Sequence, residues 1–216
     1  MKRVSIIDCG SGNIRSVYNA VNKVIGSSKN KVTVVSDKTN IEDATHIILP
    51  GVGSFKACYE GLKNTGILDF LEKKVIERCT PFLGICVGMQ MLATKSYENG
   101  VHMGLNWIPG EVRKILNTKE NLKIPHMGWN KLKFLKENNF MENLEKKQDL
   151  NKDISAYFIH SYKMVLENKS NISASTEYGQ DITALIIKDN IIGTQFHPEK
   201  SHNFGLSFLS TFTEMS

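Results

Sequence analysis

The clearest chemistry in this chain sits in the pentapeptide Gly84-Ile85-Cys86-Val87-Gly88, where a short apolar run hands over to a helical pattern. A cysteine with glycine two positions away on either side has the spacing of a nucleophile elbow, with sulfur in place of oxygen. A side chain presented on so sharp a strand-to-helix turn is crowded two residues before and after, so glycine suits both places. The amide of Val87 opens the helix, lacks an intrahelical acceptor and is a candidate oxyanion donor, while the helix start favours a thiolate at Cys86. The same five residues also fit a buried cysteine packed behind a glycine turn.

A thiol needs a base, and the best candidate is His197 in Gln195-Phe196-His197-Pro198-Glu199. Residues two apart in an extended backbone share a side, which is expected to set the Glu199 carboxylate beside the imidazole, with Pro198 stopping the strand. One ring nitrogen then donates to Glu199 and the other is left for the thiol proton. The alternative is a strand-end histidine beside a solvated glutamate. A third segment, Pro50-Gly51-Val52-Gly53-Ser54-Phe55, lets the backbone near Val52 and Gly53 approach a ligand and supply a second oxyanion donor. It also fits a plain turn or a phosphate-holding helix start.

The elements that must position these residues alternate in the first half. Residues 3–8 read as a buried strand, and Ile14, Val17, Tyr18, Val21, Val24 and Ile25 fall on one helical face. Runs 32–35 and 45–49 are short and β-branched, the second stopped by Pro50 and Gly51. Ile67, Leu68, Leu71 and Val75 mark a helix before the run 81–86, and a further helix is expected from Val87. Such alternation implies a parallel sheet flanked by helices. Beyond Trp107, strand candidates at 129–134, 156–160, 172–176, 184–187 and 191–196 follow one another without obvious helices and are expected to pair antiparallel. Residues 136–153 read as a solvated polar excursion, and Phe204, Phe208, Leu209 and Phe212 mark a closing helix.

The chain of 216 residues suits one domain over 1–216, and its 41% hydrophobic and 23% charged content is globular. No apolar run is long enough to span a bilayer and the start lacks a signal-peptide core, so a cytoplasmic location without membrane association is expected. The net charge of +5 is spread without a basic block, giving no support for nucleic-acid binding. The remaining cysteines, Cys9, Cys58 and Cys79, read as inert core thiols, and the histidines never take a metal-binding spacing, so no metal site is expected. Gly10-Ser11-Gly12-Asn13-Ile14-Arg15 imitates a dinucleotide fingerprint, but Arg15 stands where a third glycine is needed, so no cofactor is expected.

Taken together and in this order, PGVGSF, GICVGMQ and QFHPEKS resemble the class I, triad-type glutamine amidotransferases over essentially the whole chain. PHMGWN at 125–130 and YFIHSY at 157–162 resemble one branch of them, the glutaminase subunits of imidazole glycerol phosphate synthase. The resemblance implies a flavodoxin-like open mixed α/β sheet, with a parallel core flanked by helices and antiparallel strands added in the C-terminal half. It implies Cys86 as nucleophile, His197 as base and acid, Glu199 as its orienter, and Val52, Gly53 and Val87 around the oxyanion. Gly53, Gln90, His160, Ser161 and Tyr162 are implied as contacts to glutamine.

The branch further implies a one-to-one heterodimer with a (β/α)8-barrel cyclase. That partner uses the ammonia to form imidazole glycerol phosphate and AICAR from PRFAR in histidine biosynthesis, and Asn13, Trp129, Asn130, Tyr157 and Lys200 are implied at or near the docking face. Val87 stands where the family usually has leucine, a mild departure because the backbone amide does the work. Other readings are a paralogue serving surface-sugar amidation, an anthranilate-type glutaminase, which usually carries histidine where Met89 stands, and a non-catalytic regulator of the same fold.

Overall fold

The protein is described from a computed structural model, covering residues 1–10, 12–26, 29–37, 41–117, 122–135 and 138–216. The chain begins with β1 (Arg3–Ile7), α1 (Ile14–Ile25), β2 (Lys31–Val35), β3 (His46–Gly51), α2 (Phe55–Asn64), α3 (Leu68–Glu72), β4 (Phe82–Cys86) and α4 (Val87–Gln90). Short strands β5 (Lys95–Ser96) and β6 (His102–Met103) precede β7 (Gly110–Lys114), β8 (His126–Lys131), β9 (Lys133–Phe134) and α5 (Asn139–Glu145). The chain ends with β10 (Ser155–His160), β11 (Tyr162–Leu166), β12 (Ile172–Glu177), β13 (Asp181–Lys188), β14 (Ile191–Thr194) and α6 (His202–Phe212).

The main sheet has eight strands in the order β2-β1-β3-β4-β14-β13-β12-β9. From β2 to β14 all neighbours are parallel, and β13, β12 and β9 continue the sheet antiparallel. This is the mixed α/β sheet expected from the sequence. β3 and β4 are buried throughout, as central strands covered on both faces must be. Two smaller sheets sit beside it, the antiparallel ribbon β8–β10 and the four-stranded β11-β7-β5-β6. The core runs from Val4 to Phe212, and Phe196 packs with Phe204 and Phe208 to seat α6. Among the described residues no helix is long and apolar enough to cross a membrane.

Several local expectations are corrected. Strand β3 runs through Pro50 and Gly51 rather than stopping before them. Its ladder to β1 ends at Ile48, so the missing N–H of Pro50 lies beyond that pairing, while β4 continues alongside to Cys86. The helix after Val87 is a single turn. The carbonyls of Met91, Leu92 and Ala93 accept instead from the amides of Leu105, Ile108 and Asn106, so a neighbouring loop takes the bonds a longer helix would have used.

The strand expected at 129–134 splits into β8 and β9, which join different sheets, and the one expected at 191–196 ends at Thr194. Of the excursion 136–153, Lys136 and Glu137 lie outside the described residues, but α5 forms within it and buries Phe140, Met141 and Leu144. Cys9 and Cys58 are buried, whereas Cys79 is exposed. Ser11 of the dinucleotide-like stretch lies outside the described residues.

Candidate active site

Cys86 ends β4 with φ +56° and ψ −109°, a backbone region that costs a non-glycine residue about 1–3 kcal/mol and persists only where its surroundings enforce it. The enforcement is steric. A Cβ at Gly84 would lie 2.6 Å from the Gly88 carbonyl oxygen, and one at Gly88 would lie 1.9 Å from that of Leu49. Both glycines are therefore required by close backbone packing of the turn against itself and against β3. Because α4 is one turn long, its contribution at the sulfur is the local N–H of Val87 more than an extended dipole.

His197 follows β14, the parallel neighbour of β4. Its Nδ1 lies 2.8 Å from Glu199 Oε1, and both side chains are almost wholly buried. The reason differs from strand alternation: Pro198–Lys200 forms a 3-10 turn that curls the carboxylate back under the ring. The turn is tied to β10, where the His197 N–H donates to the Tyr157 carbonyl, and Ser201 Oγ donates to the His197 carbonyl while accepting from the Tyr157 N–H. The other nitrogen, His197 Nε2, is buried with no hydrogen bond inside the protein. Burial opposes charging this imidazole, but the Cys86 sulfur and the Glu199 carboxylate outweigh it and hold the pKa up at about 10.

Cys86 and His197 open into one crevice of about 290 Å³, lined also by Val52, Gly53, Val87, Gln90, Ile159, His160, Ser161 and Tyr162. This is at the small end of ligand sites. Every residue expected around the nucleophile, the oxyanion and the substrate lines it, Glu199 acting from behind His197. Val52 is exposed, Gly53 has φ +100°, and the Val52 carbonyl accepts from Cys58 Sγ at 3.4 Å. The Cys86 thiol reaches the Ile159 carbonyl at 3.7 Å and receives the Gln195 amide at 3.6 Å. Gln90 Nε2 donates to the Tyr162 carbonyl at 2.9 Å and to Gln195 Oε1 at 3.0 Å.

Both ring nitrogens of His160 are engaged, Nδ1 with the Tyr162 carbonyl and Nε2 with His126.

Sequence reasoning missed Glu98, the one carboxylate lining the crevice among the described residues, whose Oε2 accepts from the Phe55 N–H at 2.6 Å. No local pattern marks it, since the β5–β6 turn alone brings it there. Gln195, two residues before His197, carries no expected role, yet its amide donates to the Cys86 sulfur. Of the five docking candidates, Trp129 is 47% exposed, stacks on His202 with ring centroids 4.6 Å apart, and meets Tyr157 edge-on, while Lys200 Nζ lies over the Tyr157 ring. Asn130 turns its amide toward His126, and Asn13 precedes α1 without a side-chain capping bond.

A glycine-flanked cysteine at the end of a parallel strand, with a histidine–glutamate pair just beyond the next, defines the class. The chain belongs to the glutamine amidotransferase class-I family, whose pattern matches residues 5–214. It is 42% identical over 212 residues to the imidazole glycerol phosphate synthase subunit HisH of Zymomonas mobilis, covering 98% of this chain and 95% of that one. It is 43% identical to HisH of Bradyrhizobium diazoefficiens, covering 97% of each. In fold it is similar to the structure of PurLQS from Thermotoga maritima, with TM-score 0.71 at 19% identity over 98% of this chain and 97% of that chain.

Proposed function

We propose that this chain hydrolyses glutamine to glutamate and ammonia as the glutaminase subunit of an imidazole glycerol phosphate synthase in histidine biosynthesis. One observation carries the chemistry: the Cys86 sulfur and an unpartnered His197 Nε2 meet in a single amino-acid-sized crevice, with the buried Glu199 carboxylate behind the imidazole. The identity of about two-fifths over nearly full length to HisH proteins supports the pathway.

Sulfur attacks the side-chain amide carbon of glutamine, and the Val87 amide together with the Val52–Gly53 backbone receives the negative charge that develops on oxygen. His197, protonated at neutral pH, gives its Nε2 proton to the departing nitrogen, and ammonia leaves. In the resulting thioester the sulfur is taken up in a covalent bond, so its influence holding a proton on His197 is gone. The neutral ring then takes a proton from water, which attacks the thioester and releases glutamate. Glu98 is the group suited to the α-ammonium of glutamine, with Gln90, Ser161 and Tyr162 completing the pocket.

Ammonia released into neutral water becomes ammonium and loses its nucleophilicity, so the product calls for an adjoining acceptor site. The partner is a (β/α)8-barrel cyclase bound one to one, docking over Trp129, Tyr157 and Lys200, with Asn13 and Asn130 at the margins. The test is glutamate release by the purified chain with and without the cognate cyclase and its ribonucleotide ligand. Hydrolysis is expected to be slow alone, accelerated by the loaded partner, and absent in Cys86→Ala. Undiminished turnover in that variant would remove the mechanism, and no acceleration by the cyclase would remove the pathway.

A further inference from the structure

Two buried histidines beyond the triad, His126 and His160, form a polar chain with a single possible direction. His160 Nδ1 lies 2.8 Å from the Tyr162 carbonyl, which can only accept, so Nδ1 carries the proton. His126 Nδ1 lies 3.0 Å from His160 Nε2. Burial pushes the pKa of His160 down to about 3 and that of His126 down to about 4, so both rings are neutral at physiological pH. A neutral His160 with its proton on Nδ1 accepts at Nε2, so His126 must donate from Nδ1 and accept at Nε2.

The donor to that last nitrogen is Asn130 Nδ2, at 3.3 Å. Its amide orientation is fixed independently, because Nδ2 also donates to the Glu177 carbonyl at 2.8 Å while Oδ1 accepts from the Lys131 N–H at 2.8 Å. The His126 ring cannot turn away: it is sandwiched between Tyr178, at 4.0 Å between centroids, and Phe158, at 4.7 Å, and is 2% exposed. At the other end the Tyr162 carbonyl also accepts from Gln90, Gln90 donates to Gln195, and Gln195 donates to the Cys86 sulfur.

We infer that His126 is a positioning residue for the glutaminase reaction: it donates to Nε2 of His160, holding the ring whose tautomer the Tyr162 carbonyl sets, and joins Asn130, on the β8 strand beside Trp129, to the nucleophile through an unbroken chain of hydrogen bonds. The chain gives a displacement of β8 a route to the amide that touches the sulfur. This deepens the glutaminase reading and rests on it. Asn130 thereby has a second place in the reaction besides its nearness to the docking face.

The test uses the full chain in complex with the cognate cyclase. In wild-type protein labelled with 15N-histidine, His160 is expected as the neutral Nδ1–H tautomer set by the Tyr162 carbonyl, with a hydrogen-bonded Nε2, and that second hydrogen bond is the signature a merely space-filling His126 would not give. His126→Phe keeps a ring in the aromatic sandwich but removes both nitrogens. It is expected to erase the hydrogen-bond shift at His160 Nε2 and to lower kcat/KM for glutamine about tenfold or more, the effect of leaving one buried polar atom unpaired. His126→Asn, whose side-chain amide offers an N–H where Nδ1 stood, is expected to restore the His160 signature and most of the rate.

Asn130→Ala is expected to cost about threefold in the wild-type background and nothing further in His126→Phe, because coupled residues are not additive. An Nε2–H tautomer at His160, a His126→Phe enzyme as fast as wild type, or additive losses in the double variant would each overturn the inference. A wild-type protein without glutaminase activity, or activity surviving in Cys86→Ala, would instead remove the reading of function, and the tautomer measurement stands apart from both.

Discussion

Gly88→Ala is the substitution for which the structure gives the clearest number. The added Cβ would stand 1.9 Å from the Leu49 carbonyl oxygen and 3.0 Å from its carbon. A close C···O contact needs about 3.3–3.6 Å, so α4 and β3 must separate by about 1.5 Å. Leu49 lies inside the parallel ladder, paired with Gly84 of β4, and has no flexible side-chain end to yield in place of backbone. Overpacking of this kind costs up to about 3 kcal/mol, and a backbone clash sits at the upper end. With a urea slope of about 2 kcal/mol per molar, the unfolding midpoint should fall by about 1.5 M.

Moving α4 also moves the Val87 amide and the sulfur, and a misplacement of about 1 Å is enough for about a hundredfold loss in kcat. Gly193→Ala is the control. Its Cβ would meet Met89 Cγ at 2.8 Å, an unbranched side chain able to shift, so the midpoint should fall by about 0.5 M or less. Urea titration and glutamate release on both variants decide the matter. A Gly88→Ala protein with a wild-type midpoint and full rate would refute the steric account of the elbow.

Other expectations follow from charge and exposure. Burial depresses His160 to about 3 and His126 and His46 to about 4, so the unfolded chain binds their protons more readily and stability should fall as pH drops from about 6.5 toward 4. His197 has the opposite sign: its raised pKa contributes stability that is full below about 6.5 and lost as pH climbs toward 10. Urea midpoints between pH 5 and 10 should therefore peak near neutrality, and a midpoint rising steadily from pH 7 to pH 5 would contradict the buried neutral histidines. Glu98→Gln should raise KM for glutamine about tenfold with a smaller change in kcat, as expected for one lost charge-assisted hydrogen bond to the substrate head, and an unchanged KM would remove Glu98 from the pocket's function. Trp129→Ala should weaken binding of the cyclase by about 30-fold or more in a titration, the typical effect of truncating a central aromatic anchor, and unaltered affinity would move the docking face elsewhere.

What could be read from the sequence was what is decided locally. The elbow was legible because its requirement, no Cβ two residues to either side of Cys86, is written in Gly84 and Gly88. β1, β3 and β4 were legible as apolar runs, although Pro50 looked like a stop because the end of β1, which frees that position from donating, is a tertiary fact. The pairing of His197 with Glu199 was foreseen for the wrong geometric reason, a turn doing what alternation was expected to do.

Features made by distant partners were hidden. β5 and β6 are two residues each and exist through pairing with each other and, for β5, with β7. The early end of α4 is set by the loop near Leu105, and the apolar face of α5 is masked by flanking charges. The histidine chain joins β8 to β10, 34 residues apart at His126 and His160, and neither residue alone advertises it.

The nucleophile ends one strand and its base follows the adjoining strand by three residues, with Ile85 of β4 opposite Thr194 of β14. The platform under them is thus a hydrogen-bonded ladder whose strands lie about 4.8 Å apart, a property of main chain that ordinary side-chain drift barely touches. A lineage carrying this scaffold can exchange the atoms at the two tips, or discard them, while the platform beneath keeps its dimensions. Silenced descendants should therefore differ first at positions 86 and 197 and only later in the strands that carry them.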